Sequence, residues 1–182
     1  MNLFLKLFPR CLPSFAKKKK LEELFCLAAD AFQTETPETQ ELSYAEALEK
    51  FAVFTRDEAE KSIHAGDDLA ALKKRLYTNA RDLGDKLRKR YRINSLSDAM
   101  AMSRFLYRIL GIDFRGNKQG EATIRRCFFS HIYSSQICEV ISALDEGLAA
   151  GLSAGGRLTF DQRITEGNTC CRARVCLEES AE

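Results

Sequence analysis

The sequence has no glycine-rich phosphate loop, no Gly-x-Ser-x-Gly elbow and no His-Glu-x-x-His motif. P-loop nucleotide chemistry, the α/β serine hydrolases and the helical zinc proteases are therefore set aside. Close Cys-x-x-Cys pairs are also missing, which excludes a zinc ribbon. No internal repeat period is present. No charge of one sign dominates either: 28 basic and 26 acidic residues give a formal net charge of +2, so no overall field marks the chain for nucleic acid.

What remains is a chain of 182 residues, 45% hydrophobic and 30% charged, the composition of one ordinary globular core. Its seven cysteines are an odd number without a secretory signal, which argues for thiols in a reducing, cytoplasmic setting rather than a paired disulfide framework. Five of the seven lie between Cys127 and Cys176.

The domain organisation divides at residue 19. Residues 1–19 form a basic and apolar arm, and 20–182 a single α+β domain. Met1 to Lys20 carries six basic residues and no acidic one, a composition suited to peripheral contact with an anionic membrane surface. The apolar run is too short to span a bilayer, and Pro9 and Pro13 interrupt any helix.

Helical spacing of Leu21, Leu24, Phe25, Ala28 and Phe32 predicts a first helix over 16–32, with Cys26 beside its buried stripe as core filler. Ser43 and Glu46 predict a capping box opening a second helix, which Gly66 closes. Asp67 and Asp68 open a third, long helix reaching Tyr91, whose outer side, including Lys73, Arg75 and Arg88, reads as a solvated basic face. Ser95 or Ser97 caps a fourth, ended by Gly111.

The periodicity then changes. Residues 112–115 and 121–129 predict a hairpin, 135–150 a helix closed by Gly151, and 158–165 with 169–177 a second hairpin across Glu166-Gly167-Asn168. Alternation along the last strand buries Cys171, Ala173, Val175 and Leu177 and exposes Cys170, Arg172, Arg174 and Cys176. The expected fold is α+β: N-terminal helices on a small antiparallel sheet of about four strands, with one helix between the two hairpins.

Cys127, Cys138, Asp145, Gly167 and Cys171, in that order of strand, helix and hairpin, give the last third of the chain a recognisable signature. It resembles the L-2-amino-thiazoline-4-carboxylic acid hydrolase family and, more distantly, the vinyl-reductase-type ligand-binding domains. The chain departs from that family's pattern at Phe128, where a proline is usual, and at Asn168, where an aspartate is usual. The resemblance implies hydrolytic opening of a thiazoline or related ring, with a carbamoyl-cysteine product.

Such chemistry requires a nucleophile or activated water, a proton shuttle and a cation for the substrate carboxylate. Cys127 or Cys138 is then the candidate nucleophile, His131 the base, Asp145 an orienting acid, Cys171 a further wall of the site, and Arg126 or Arg163 the cation. No cofactor is expected. A variant scheme places a thiophilic ion such as zinc among Cys127, His131, Cys138 and Cys171.

Two other readings belong to different classes. In the first, the cysteines merely pack, and Phe128, Phe129, Tyr133 and Met102 line an apolar pocket for a small ligand without turnover. In the second, the chain is an interaction module forming a homodimer through its helices.

Overall fold

The structure, a computed structural model, describes residues 13–177. Four helices come first: α1 (Ser14–Phe32), α2 (Tyr44–Ala65), α3 (Leu69–Tyr91) and α4 (Leu96–Ile109). A hairpin of β1 (Phe114–Gly116) and β2 (Glu121–Ile124) follows. Then come a 3-10 turn at Phe128–His131, helix α5 (Ser135–Leu152), strand β3 (Arg157–Gln162), a second 3-10 turn at Ile164–Glu166 and strand β4 (Cys171–Cys176). The four strands form one antiparallel sheet in the order β1-β2-β4-β3, so the architecture is α+β with helices packed on a small sheet.

Local chemistry accounts for most of the helix ends. The Ser43 hydroxyl accepts from the Glu46 amide while the Glu46 carboxylate accepts from the Ser43 amide, and Gly66 closes α2 in the left-handed conformation at φ 71°. Asp68 Oδ1 accepts from the amides of Ala70 and Ala71 at the start of α3. At α4 the cap is Ser95 rather than Ser97. Helix α1 begins at Ser14, so the arm's Lys17–Lys20 run is helical. Lys17 lies over the Tyr44 ring, Lys18 donates to the Gln40 carbonyl and Lys20 pairs with Glu23. The remainder of the arm, residues 1–12, lies outside the described residues, as does Cys11.

Helix α5 is the middle layer. Ile137, Val140, Ile141, Ala143, Gly147, Ala150 and Leu152 are all buried, because the helix is covered by α3 on one side and by the sheet on the other. The α3–α5 crossing is close enough to place backbone on backbone. A Cβ at Gly147 would sit 2.1 Å from the Tyr77 carbonyl oxygen, and one at Gly151 2.3 Å from that of Arg81. Gly151 therefore lies within α5 and packs against α3 instead of ending the helix, which continues to Leu152.

The sheet turns Ala122, Ile124, Leu158, Cys171, Ala173 and Val175 inward, in register as Ile124 opposite Cys171 and Ala122 opposite Ala173. Arg172, Arg174 and Cys176 face outward, as alternation requires. Leu177, expected on the buried face, lies beyond the end of β4 and is 52% exposed. Both long strands also end earlier than their composition suggests. Beyond Ile124 the chain bonds only to Asp113, and at Cys127 it turns, with the Ser130 amide and hydroxyl both donating to the Cys127 carbonyl. Cys26 is exposed on α1, off the buried stripe, rather than filling the core.

Among the described residues, no helix is long and apolar enough to cross a membrane.

Candidate ligand cavity

Helix α5 carries Cys138, Ile141, Ser142, Asp145 and Leu148 at spacings that put them on one face, and that face forms a wall of a cavity of about 110 Å³. Leu24 and Leu27 of α1, Phe51 of α2, and Ala80 and Leu83 of α3 supply apolar walls. The rest come from Leu110 and Ile112 beyond α4 and from Cys127, Phe129 and Tyr133 around the first 3-10 turn. The lining is overwhelmingly hydrocarbon and aromatic. Polar atoms enter from Asp145, the two thiols, Ser142 and Tyr133, and two of these are already bonded: the Ser142 hydroxyl donates to the Cys138 carbonyl, and the Tyr133 and Thr55 hydroxyls are paired.

Asp145 is the exception in this setting. The Tyr107 hydroxyl donates to Asp145 Oδ1 at 2.6 Å, and the Tyr107 ring is held flat against Phe114 with centroids 4.7 Å apart. Oδ2 has no hydrogen-bond partner among the described residues. Burial pushes the carboxyl up to about 6, against the opposing pull of the Tyr107 hydrogen bond, with Glu146 adding to the rise and Arg163 countering it. Burial also raises Tyr107 well above the ordinary phenol range, with the Asp145 carboxylate adding to the effect.

The thiols are shifted the same way. Burial pushes Cys127 up to about 12, although the amides of Phe129 and Ser130 at the start of the turn favour its thiolate. Burial also raises Cys138, against the Thr165 hydroxyl lying beside its sulfur, and Cys171, against the Ile164 amide that donates to its Sγ at 3.3 Å. Burial thus disfavours the Cys127 thiolate, the form a thiol nucleophile would need.

The expected site residues therefore separate into three groups. Cys127, Cys138 and Asp145 line the cavity. Cys171 and Arg163 stand behind it: Cys171 is buried under the sheet, and the Arg163 guanidinium lies over the Phe160 ring at 4.5 Å and 3.6 Å from Glu166, with its Nε unpartnered. His131 and Arg126 are exposed and lie elsewhere. The strand predicted over 121–129 ends at Ile124, and the 3-10 turn at Phe128–His131 leaves His131 exposed to solvent.

Among the described residues, no three His, Cys, Asp or Glu side chains are grouped to hold a metal ion, so the four-ligand arrangement with His131 is not assembled. Of the proposed pocket aromatics, Phe129 and Tyr133 line the cavity. Phe128 packs against Gly111 instead, and Met102 is buried with Leu87, Ala99 and Leu152. On the basic side of α3, Lys73 pairs with Glu139, Arg75 donates to the Ala31 carbonyl, and Arg88 donates to Asp85 and the Gly151 carbonyl. Those three cations are engaged by the protein's own groups.

Tyr107 was not legible as a site residue. It lies off the apolar stripe of α4 that the sequence reveals, and its carboxylate partner is 38 residues away.

The fold and cavity together define an α+β domain with a mostly apolar, partly open cavity that one carboxyl group lines. Comparison with protein-family profiles, with curated proteins and with solved structures gave no significant match.

Proposed function

We propose that this chain binds a small, ring-sized molecule in the cavity beneath α5, with an N–H donor of the ligand pairing with Asp145. The observation that carries this reading is the carboxyl itself, set among apolar side chains of the cavity lining and bonded through one oxygen by Tyr107, with no protein partner for the other among the described residues. A buried carboxylate without a full set of partners is costly, and a ligand N–H donor relieves that cost. The volume limits the occupant. About 110 Å³ is of the same order as the apolar cavities of roughly 150 Å³ that admit benzene, so one five- or six-membered ring fits. A cyclic amidine such as a 2-aminothiazoline combines that size with a cationic N–H donor pair, the chemistry a carboxylate binds best.

A second reading, ring-opening hydrolysis, is supported by one further observation. With its carboxyl raised to about 6, Asp145 is mostly ionised at pH 7 and is a stronger base than an ordinary aspartate, suited to accept a proton from water. In that scheme Asp145 is the general base, Tyr107 orients it, and the protonated thiols of Cys127 and Cys138 shape the pocket.

Calorimetric titration with 2-amino-2-thiazoline, and mass spectrometry for carbamoyl-cysteine after incubation with L-2-amino-thiazoline-4-carboxylate, test both. The binding reading predicts saturable one-to-one binding that Asp145→Asn weakens at least about tenfold and that Cys127→Ser retains. Product formation that requires Asp145 but survives Cys127→Ser and Cys138→Ser selects the hydrolase. Absence of binding up to about 10 mM removes the cavity from consideration.

A further inference from the structure

A second concavity lies on the other side of Ile112. It has a volume of about 360 Å³ and is lined by Arg104, Arg108, Gly111, Ile112, Asp113, Phe114 and Arg126. Ile112 is the one residue it shares with the buried cavity. Three arginines thus border one open cleft, and they come from two separate elements: Arg104 and Arg108 from consecutive turns of α4, Arg126 from the segment that follows β2.

Gathering three like charges works against Coulomb repulsion. The carbonyl end of α4 favours cations in its last turn, which accounts for Arg108. Arg104 donates to the Gly116 carbonyl at 3.1 Å and has no ion pair among the described residues. Arg126 belongs to no helix, and its side chain has neither a hydrogen bond nor an ion pair among the described residues. Asp113, the one carboxylate among the described lining residues, lies 3.7 Å from Arg115, which is not one of them. Helix capping thus explains one arginine of the three and leaves Arg126 unexplained.

We propose that this cleft is an anion site for a compact, multiply charged small molecule bearing phosphate groups. Guanidinium forks match phosphate oxygens in pairs, and the concave shape lets cations from α4 and from the post-β2 segment engage one ligand from two sides. A flat basic surface lacks that second property. The outward face of the sheet, with Arg172 and Arg174, provides the comparison within the same molecule. The site is independent of the Asp145 cavity, since none of its charged residues lines that cavity.

Titration of the full chain with inorganic pyrophosphate in low-chloride buffer tests this. One-to-one binding is expected, weakened about tenfold by Arg126→Gln and by Arg104→Gln individually, and unchanged by Arg172→Gln, Arg174→Gln or Asp145→Asn. Thermal melts of each variant accompany the titrations. Arg126→Gln removes no side-chain hydrogen bond or ion pair among the described residues and should melt with the parent chain, so its loss of affinity reads the site and not unfolding. Three results overturn the proposal: no one-to-one binding, equal losses at Arg172 and Arg126, or a DNA duplex that displaces pyrophosphate and weakens equally with every arginine variant. The last two indicate general attraction to a basic surface.

Discussion

Asp145 carries most of the chemistry, and its shifted carboxyl is also a statement about stability. A carboxyl whose folded value, about 6, lies above its ordinary 3.8 makes the native state bind protons more tightly than the unfolded chain. Its effect on folding is therefore neutral below about pH 4 and increasingly unfavourable as pH rises through 6, levelling off above that. The shift corresponds to about 3 kcal/mol. Asp145→Asn keeps an acceptor for the Tyr107 hydroxyl and removes the charge. Urea denaturation should find the variant more stable than the parent by up to about 3 kcal/mol at pH 7.5, with the difference gone near pH 4. A variant less stable at pH 7.5 would mean that the carboxylate is compensated in the native state.

The cysteines give a second test at the same scale. Cys26 and Cys176 are exposed, whereas Cys127 and Cys138 are half-buried thiols that burial holds above the ordinary range. Labelling with a disulfide reagent at pH 8 should modify Cys26 and Cys176 rapidly and reach Cys127 and Cys138 only after denaturant is added. Rapid labelling of Cys127 in the native protein would restore it as a candidate nucleophile.

At the level of elements, the α3–α5 pair determines where the site lies. Because Gly147 and Gly151 let the two backbones touch, α5 sits deep enough to offer one face to the cavity and the other to the sheet. Gly147→Ala directs a methyl group at the Tyr77 carbonyl, a backbone atom that cannot rotate away. Overpacking of this kind should cost at least about 2 kcal/mol in denaturant melts, together with loss of ligand binding, since the cavity wall moves with the helix. Alanine accepted at no cost would show that the crossing is looser than the structure has it.

Helix ends were the most legible part of the sequence, because capping is settled within four residues: Ser43 with Glu46, Gly66 and Asp68 all act as their types suggest. Strand ends were not. Arg125 to Phe129 has strand-like composition, but burial of Phe129 in the helical core and the Ser130 bonds to the Cys127 carbonyl turn the chain instead. Gly151 was misplaced for a related reason: a glycine that admits a neighbouring helix looks the same in sequence as one that ends a helix.

For the molecule as a whole, the α+β plan follows from a change of period near residue 112, and that much is written in the sequence. The cavity is not, because its walls come from α1, α2, α3 and α5 and the segments around them. The cysteine pattern drew attention to Cys127 and Cys138, and the resemblance added Asp145. Neither indicated that Tyr107 would hold the carboxyl, or that Arg126 would face a different cleft from the one Asp145 lines. Residues joined by tertiary contact alone leave no local trace.

The central claim is that an ionised Asp145 receives a cationic ring donor inside the cavity. It is tested most directly by measuring the affinity of the full chain for a cyclic amidine that stays cationic from pH 5 to pH 7. The account predicts that affinity rises about tenfold across this interval as the carboxyl, centred near 6, loses its proton, and that Asp145→Asn binds weakly and without pH dependence. Affinity that is flat across the interval, or unchanged in the asparagine variant, would contradict it.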